Sequence, residues 1–374
     1  MKVLEKHLKP YLKESKAKEA YALEADLYCN ESFYSLENDV VFQNNWQLVG
    51  HIDQLSNTGD QLVCEIAELP IVVVRNENNE LKAFHNVCRH RAGPVATENG
   101  NSKVLRCKYH GWTYSLDGEL NSAPEMGSTP NFDVCQYHLP QVEISEWQGF
   151  IFVSINKPAV PLEKMLSGIT DNIKPINLSE MTFSHREEYI IECNWKVYMD
   201  NYLEGYHIPH IHPELNQLID YRNYETEVKA WYSYQYSKLT EHNNEVDNFY
   251  GKGTAHYYCI FPNLMLNILP GRLQTNQIIP ITKNKTKVVF DYFYTELESE
   301  ETQKLIAQDK TFSHVVQKED INICEQVQKG LNSGSYVPGR LCVKRELGVL
   351  HYQNLIRKSF RDAIKTKHIK VSKT

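Results

Sequence analysis

The sequence predicts an α+β protein of two domains, and three observations carry that prediction. The chain has 374 residues, more than one simple core accommodates. Short runs rich in Val and Ile, punctuated by turn signals, fill the stretch from Gln61 to Ile155. Beyond them, strand-like runs follow one another in series and end in a long charged helix, so strands and helices do not alternate as in a parallel sheet.

Tyr11 to Leu27 is rich in Ala, Lys, Glu and Leu, and its propensities predict a helix. Leu36 to Trp46 is predicted as a second, shorter one. Gln61 to Arg75 reads as two strands with Pro70 between them. Asn76-Glu77-Asn78-Asn79-Glu80 is a turn, and Leu81 to Asn86 a short strand. Turn signals recur at Asn99-Gly100 and Asp117-Gly118, and Gly149 to Ile155 is an apolar strand. Short strands at this spacing indicate a small antiparallel β domain over residues 42–155. The N-terminal helices of residues 1–41 are expected to pack on the second domain. Residues 156–162 hold Pro158 and Pro161 without periodicity and are the expected linker. In the second domain, residues 163–374, Ser184 to Glu192, Val228 to Leu239, Ala255 to Leu269, Leu273 to Ile281 and Lys287 to Glu296 have strand composition. Glu300 to Leu331 is periodic and helical.

Hydrophobic content of 41% and charged content of 23% are ordinary for a globular protein. A net charge of −7 argues against a nucleic-acid or anionic-membrane surface. No run of about 18 apolar residues occurs, so no transmembrane helix is expected. Met1 to Pro10 lacks the apolar segment of a signal peptide. The nine cysteines are odd in number, and seven are scattered. They predict no disulfide framework and a reducing cytoplasm, with those seven as small buried apolar residues.

Two constellations carry chemistry. In the first domain stand Cys88-Arg89-His90 and Cys107-Lys108-Tyr109-His110. Two Cys and two His suit tetrahedral zinc or a Rieske-type [2Fe–2S] cluster with two Cys on one iron and two His on the other. Zinc fingers usually pair Cys with Cys and His with His locally. Here each loop delivers one of each, which suits a two-iron cluster. The second constellation is Asn194-Trp195-Lys196 through Glu204, Tyr206-His207 and His212-Pro213. Helical spacing places Glu204 and His207 on one face, one turn apart. Pro209 disfavours further helix, so His212 can return toward His207. His210 competes with His212 as a second ligand.

Both loops of the first constellation, with the flanks Arg91-Ala92 and Gly111-Trp112, resemble the cluster loops of Rieske non-heme iron oxygenases. The second constellation resembles the catalytic iron motif of their alpha (oxygenase) subunits, and the likeness spans about residues 35–355. The resemblance implies a Rieske cluster on Cys88, His90, Cys107 and His110. It implies a mononuclear Fe(II) on His207, His212 and Asp320, with Asp320 supplied by Glu319-Asp320-Ile321-Asn322 of the long helix. Two His and one carboxylate leave positions open for O2 and substrate. It further implies a curved antiparallel sheet covered by helices, of the helix-grip or START-like kind, and a homotrimer. Glu204 then bridges His110 of one subunit to His207 of its neighbour, and Asn201 lies near the iron. Glu204 in place of the usual Asp, and the shorter spacing from Asn201, shift the resemblance toward the choline, carnitine and glycine betaine branch. So do Phe261-Pro262-Asn263-Leu264 and Val327-Gln328-Lys329-Gly330.

A quaternary ammonium group is held best by aromatic faces. Tyr232, Tyr234 and Tyr236 share one face of a strand, while Tyr198, Tyr202 and Tyr206 stand at helical spacing and Tyr257 and Tyr258 add more. Tyr202, Tyr232, Tyr234 and Tyr236 are the candidate substrate residues, although such stripes are more often core. Arg272 reads as a surface arginine that could otherwise meet a substrate carboxylate. The implied activity is O2-dependent hydroxylation of choline, carnitine or a betaine, ending in oxidation or N-demethylation. No Gly-x-Gly-x-x-Gly occurs, so NAD(P)H enters through a separate flavin and iron–sulfur reductase. The alternatives are an aromatic ring-hydroxylating dioxygenase or demethylase subunit and, further off, a Rieske electron carrier.

Overall fold

The computed structural model describes residues 13–239 and 252–371. The first two positions of the predicted Tyr11 to Leu27 helix, and all of Met1 to Pro10, lie outside the described residues. The chain divides into two compact units. One is Phe42–Lys164; the other joins the residues up to Val41 with those from Met165 onward.

The smaller unit contains β1 (Gln47–His51), β2 (Asp60–Ile66), β3 (Leu69–Arg75), β4 (Leu81–His85), β5 (Gly100–Asn101), β6 (Leu105–Arg106), β7 (Thr113–Tyr114), β8 (Leu120–Ser122), β9 (Glu143–Trp147) and β10 (Phe150–Ser154). They form sheets ordered β4-β3-β2-β5, β1-β10-β9 and β6-β7-β8. β3 explains why its sequence is a continuous apolar run. Side chains alternate across a strand, and both faces of β3 are covered. Val72 and Val74 pack with Phe84, Trp112 and Tyr114 on one side. Ile71 and Val73 pack with Leu62, Ile151 and Val153 on the other. The β2–β3 turn consists of Ala67 and Glu68, both with positive φ, the geometry that matches strand twist in a two-residue hairpin. Pro70 is therefore inside β3, opposite Glu65, and not between the strands. It stands near the strand's start, where a proline is tolerated.

In the larger unit, β11 (Thr182–Ile191), β12 (Glu225–Val228), β13 (Tyr232–Lys238), β14 (Thr254–Ile260), β15 (Leu264–Leu269), β16 (Arg272–Thr282) and β17 (Lys285–Tyr294) make one antiparallel sheet. Its order is β11-β17-β16-β15-β14-β13-β12. The predicted strand Val228 to Leu239 is realised as β13, which pairs with β12 just before it, Glu225 opposite Tyr236. Ala255 to Leu269 is two strands, joined at Phe261–Asn263.

The longer helices among the described residues are α1 (Glu31–Glu37), α2 (Trp195–Tyr202), α3 (Glu300–Asn332) and α4 (Leu347–Val371). α2 packs on α3 and on β16, while α4 covers β12 and β13. α4 lies beyond the predicted elements, although Val349, Tyr352, Ile356 and Phe360 are buried at helical spacing. The Leu36 to Trp46 helix begins earlier than its composition suggests. Asn30 caps α1, its side chain accepting from the Ser32 N–H, and a π-helical turn, Asn38–Phe42, follows.

Over its described residues, the Tyr11 to Leu27 helix is not formed. A short 3₁₀ turn, Ala17–Glu19, and one helical turn, Asp26–Cys29, are all that appear there. Tyr21 instead bridges to Arg340, and the Leu341 N–H donates to the Ala20 carbonyl at 3.1 Å. Ala20, Leu23 and Leu27 are buried by this extended path, and tertiary pairing overrides helix propensity.

The N-terminal segment is pinned to the entry of α2. The Lys196 ammonium meets Glu37 Oε1 at 2.6 Å with side chains 1% and 0% exposed, and Trp195 Nε1 donates to Glu37 Oε2 at 2.7 Å. Burial pushes the Lys196 amine down and the Glu37 carboxyl up, and each charge offsets that for the other. Removing one member of such a pair strands the other charge in a dry site. Glu37→Gln is expected to lower unfolding free energy by about 3–5 kcal/mol, read as a drop in thermal midpoint by circular dichroism. A Glu37→Gln, Lys196→Met double variant should recover most of it.

Candidate functional site

α2 opens on Asn194, whose side chain accepts from the Lys196 N–H at 3.0 Å. It stops at Tyr202, with Leu203 as its C-cap. Glu204 is therefore beyond the helix, and the predicted shared helical face does not exist. A tight turn does the same work. Glu204 Oε1 and His207 Nδ1 are 2.7 Å apart, and Glu204 Oε2 also accepts from the Tyr206 and His207 N–H groups. Pro209 does not end a helix here. It sits in the first turn of a new one, Ile208–Ile211, where a missing N–H costs nothing. That turn delivers His212, while His210 faces solvent.

His207, His212 and Asp320 converge, each offering one donor atom, with all three atoms within 4.8 Å of one another. His212 Nε2 lies 3.1 Å from Asp320 Oδ1 and His207 Nε2 lies 3.9 Å from the same oxygen. Asn201 Nδ2 donates to Asp320 Oδ1 at 2.6 Å. The opposite ring nitrogens are both engaged by carboxylates: His207 Nδ1 by Glu204, and His212 Nδ1 by Glu319 Oε2 at 2.7 Å. A carboxylate on Nδ1 fixes the tautomer and aims the Nε2 lone pair. Both rings thus present Nε2 toward Asp320, which fits one divalent ion held on one side by two imidazoles and a carboxylate. Burial pulls the His212 imidazole down, and the Asp320 and Glu319 carboxylates outweigh it and raise it above the usual histidine range.

Glu319 is the functional contact that sequence reasoning missed. Its signal was its place beside Asp320. A helix turns about 100° per residue, so only the fold shows that both carboxylates reach one histidine.

The second donor set lies in the smaller unit. Cys88 and Cys107 are buried, and His90 and His110 are exposed. The two rings are 4.6 Å apart, and His90 stacks on Trp112 at 4.9 Å. Cys88 Sγ is 3.3 Å from the Tyr114 hydroxyl. The loops are held open by backbone bonds, Cys88 N–H to the Gly93 carbonyl at 2.8 Å and Cys107 N–H to the Trp112 carbonyl at 2.9 Å. A Cβ on Gly93 would stand 3.0 Å from Cys107 Sγ. Buried thiols beside one another with exposed imidazoles beside one another suit a cluster that divides sulfur and nitrogen ligands between two irons.

A pocket adjoins the three convergent donors. Tyr198, Tyr202, Tyr224, Tyr257, Phe290 and Phe312 supply its aromatic wall. Tyr202 is thus in the pocket, its hydroxyl donating to Asn267 Oδ1 at 2.6 Å. Tyr232, Tyr234 and Tyr236 are not. They do share one face of β13, but the face away from the pocket. Tyr232 donates to the Ser167 carbonyl, and Tyr234 stacks on Tyr258 at 4.5 Å. The opposite face of β13 carries Gln235, which donates to the Tyr202 carbonyl. A period of two groups residues on one face; it does not say which face the ligand meets. Arg272, read as a surface residue, is buried and lines the pocket. All nine cysteines are free. Of the seven scattered ones, only Cys193, Cys259 and Cys324 are buried, while Cys135 is exposed.

Fold and donor sets together define a two-centre iron protein. Residues 45–133 match the Rieske [2Fe-2S] domain, and residues 178–361 match the ring hydroxylating alpha subunit (catalytic domain). The chloroplastic choline monooxygenase of Arabidopsis thaliana is 35% identical over 330 residues, 84% of this chain and 77% of that protein. The carnitine monooxygenase oxygenase subunit of Escherichia coli (strain K12) is 30% identical over 359 residues, 92% of this chain and 95% of that one. Among solved structures, the quaternary ammonium Rieske monooxygenase CntA with L-carnitine superposes with a TM-score of 0.80 at 24% identity, over 93% of this chain and 99% of that chain. Naphthalene 1,2-dioxygenase from Rhodococcus sp. shares the fold at TM-score 0.76 and 16% identity, over 96% and 98%. The chain belongs to the Rieske non-heme iron oxygenases, as an alpha subunit with monooxygenase relatives. Its cofactors are a Rieske [2Fe–2S] cluster and a mononuclear iron. Among the described residues, no helix is long and apolar enough to cross a membrane.

Outer carboxylates of this kind change metal affinity by about 10–100-fold when removed. Glu319→Ala is expected to lower mononuclear iron retention by a factor in that range, measured by metal analysis after dialysis, with the visible spectrum of the cluster unchanged.

Proposed function

We propose that this protein is the oxygenase component of a two-component monooxygenase acting on a small quaternary ammonium compound of the choline, carnitine or betaine type. The observation that carries the reading is the aromatic pocket opening onto His207, His212 and Asp320. A methylated ammonium has no N–H to donate and is held by ring faces, and Tyr202, Tyr224, Tyr257 and Phe290 supply them. Similarity to the choline and carnitine enzymes over most of the chain favours the same class.

In this reading His207, His212 and Asp320 hold the iron, and Cys88, His90, Cys107 and His110 hold the cluster. When bound, the two centres supply the electrons and O2 activation that place one oxygen atom in a substrate C–H bond. The protein's part is positioning. Asn201 donates to Asp320 and fixes that carboxylate's orientation. The pocket's apolar wall excludes water from the reacting carbon. Glu204 and His207 border both this pocket and a second cavity lined by Tyr28, Asp200 and Tyr336. Glu204 thus borders a second cavity besides the substrate pocket, which supports a role as the junction between His207 and a neighbouring subunit's His110. That role requires a homotrimer, and a separate flavin and iron–sulfur reductase supplies electrons from NAD(P)H. Seven further cysteines, none in a disulfide, suit a reducing cytoplasm. Residues 1–41, 42–155, 156–162 and 163–374 act in this scheme as N-terminal brace, cluster domain, linker and catalytic domain.

With a reductase and NADH, choline, carnitine or a betaine is expected to drive O2 uptake. Uptake with aromatic acids alone would move the protein to the ring-hydroxylating reading. Glu204→Gln is expected to retain both iron centres while cluster reoxidation in the presence of substrate and O2 slows by at least about a hundredfold, the order of loss when a positioned proton or charge relay is removed. Stopped-flow absorbance of the reduced cluster reports it, and reoxidation at the wild-type rate would remove Glu204 from the path.

A further inference from the structure

One buried polar atom in the pocket wall stands without a partner. Gln317 lies on α3, 2% exposed, and lines the pocket together with Tyr198 and Asp320. Its Oε1 accepts the Tyr198 hydroxyl at 2.6 Å. Its Nε2 is buried and has no hydrogen-bond partner among the described residues. No other side chain lining this pocket carries a buried polar atom in that condition among those residues. The Tyr198 contact decides which end of the amide is left over. Turned round, the amide would donate to the Tyr198 oxygen, and both its own oxygen and the Tyr198 O–H would lose their partner. As placed, only the NH2 end is unpaired. A buried donor without a partner is costly and uncommon, and what binds beside it is the usual reason.

Position narrows what can meet this donor. Gln317 and Asp320 are three residues apart on one helix, which sets their Cβ atoms about 5–6 Å apart. An acceptor about 2.9 Å from Nε2 therefore belongs to the part of a substrate lying beside the metal donors, not to a remote end. A quaternary ammonium group has no lone pair, so the acceptor is an oxygen on a nearby carbon. A neutral amide suits a neutral oxygen, since a carboxylate is held best by charged donors.

Resting on the quaternary ammonium reading above, we propose that Gln317 determines specificity. Its Nε2 donates to a hydroxyl oxygen on a carbon near the ammonium nitrogen, and Tyr198 holds the amide in place for that contact. A cation with the hydroxyl pairs the donor. A cation of the same shape without it strips water from Nε2 and leaves the donor bare. Discrimination then comes from an unpaired polar group and not from fit, which is how a site built to bond a hydroxyl rejects the analogue lacking it.

The test uses the holoprotein with both iron centres loaded. The ligands are choline and carnitine, each set against the analogue with a methyl group in place of its hydroxyl, and glycine betaine, which has no hydroxyl. Dissociation constants come from calorimetry, and folding of each variant from circular dichroism. In the pair that the wild type binds more tightly, the hydroxyl compound is expected to lead its analogue by at least about tenfold, the scale of leaving one buried donor unpaired. Gln317→Met, close in shape but without the amide, should bring that ratio to about one by weakening the hydroxyl compound alone. Tyr198→Phe, which keeps the ring and frees the amide, should lower the ratio severalfold, and it decides if Gln317→Met does not fold. A wild type indifferent within both pairs, as a donor met only by water would leave it, would overturn the assignment. So would a folded Gln317→Met that keeps the ratio or weakens both members equally, as a purely structural role requires. An unchanged ratio in Tyr198→Phe, or tighter binding of glycine betaine than of either hydroxyl compound, would overturn it too. Binding of none of these ligands would instead overturn the quaternary ammonium reading, and the assignment with it.

Discussion

The buried face of α3 is polar, and the rest of the catalytic unit is arranged to satisfy it. Asp309, Ser313, Gln317 and Gln328 are all buried on that helix. Asp309 and Ser313 meet Arg272. Gln317 Oε1 accepts the Tyr198 hydroxyl at 2.6 Å. Asp320 receives Asn201 and faces both histidines. Gln328 accepts the Asn194 N–H at 2.8 Å. Each such group would cost about 1–3 kcal/mol if left buried without a partner. Turning the helix by one residue would misplace all of them at once. The register of α3, and with it the position of Asp320, is therefore set by hydrogen bonds more than by apolar packing.

That arrangement couples the scaffold to the chemistry. α2 is held on three sides: by Glu37 through Trp195 and Lys196, by α3 through Tyr198, and by β15 through the Tyr202 hydroxyl on Asn267. The turn after α2 then needs few degrees of freedom to place Glu204 and His207. The same stripe on α3 supplies the Asp320 carboxylate that faces both histidines and, two turns earlier, the serine beside Arg272.

Tyrosines show how a pattern is legible while its use is not. Tyr232, Tyr234 and Tyr236 share a face as their spacing requires, yet they pack under the sheet. Tyr224, from a loop, and Tyr257, next to the core residue Tyr258, reach the pocket instead. The N-terminal segment makes the same point about propensity. Its Ala, Lys and Glu content favours a helix, but backbone pairing of Ala20 and Ala22 with Leu341 and Gly339 holds an extended path.

The sequence alone marked the candidate donors Cys88, His90, Cys107 and His110, and His207 and His212, because each group stands in a short loop, and the family resemblance added Asp320. It determined the antiparallel α+β architecture as well, because strand alternation and the long period of α3 are local properties. Tertiary structure decided what depends on the actual path of the backbone and on which groups it brings together. It put Glu319 on the far nitrogen of His212, carried Glu204 to His207 through a turn and not along a helix, and turned Arg272 into the pocket. It also chose which face of β13 would see the ligand. Those outcomes rest on burial and on how the folded chain satisfies its polar groups, which the periodicity of the sequence does not encode.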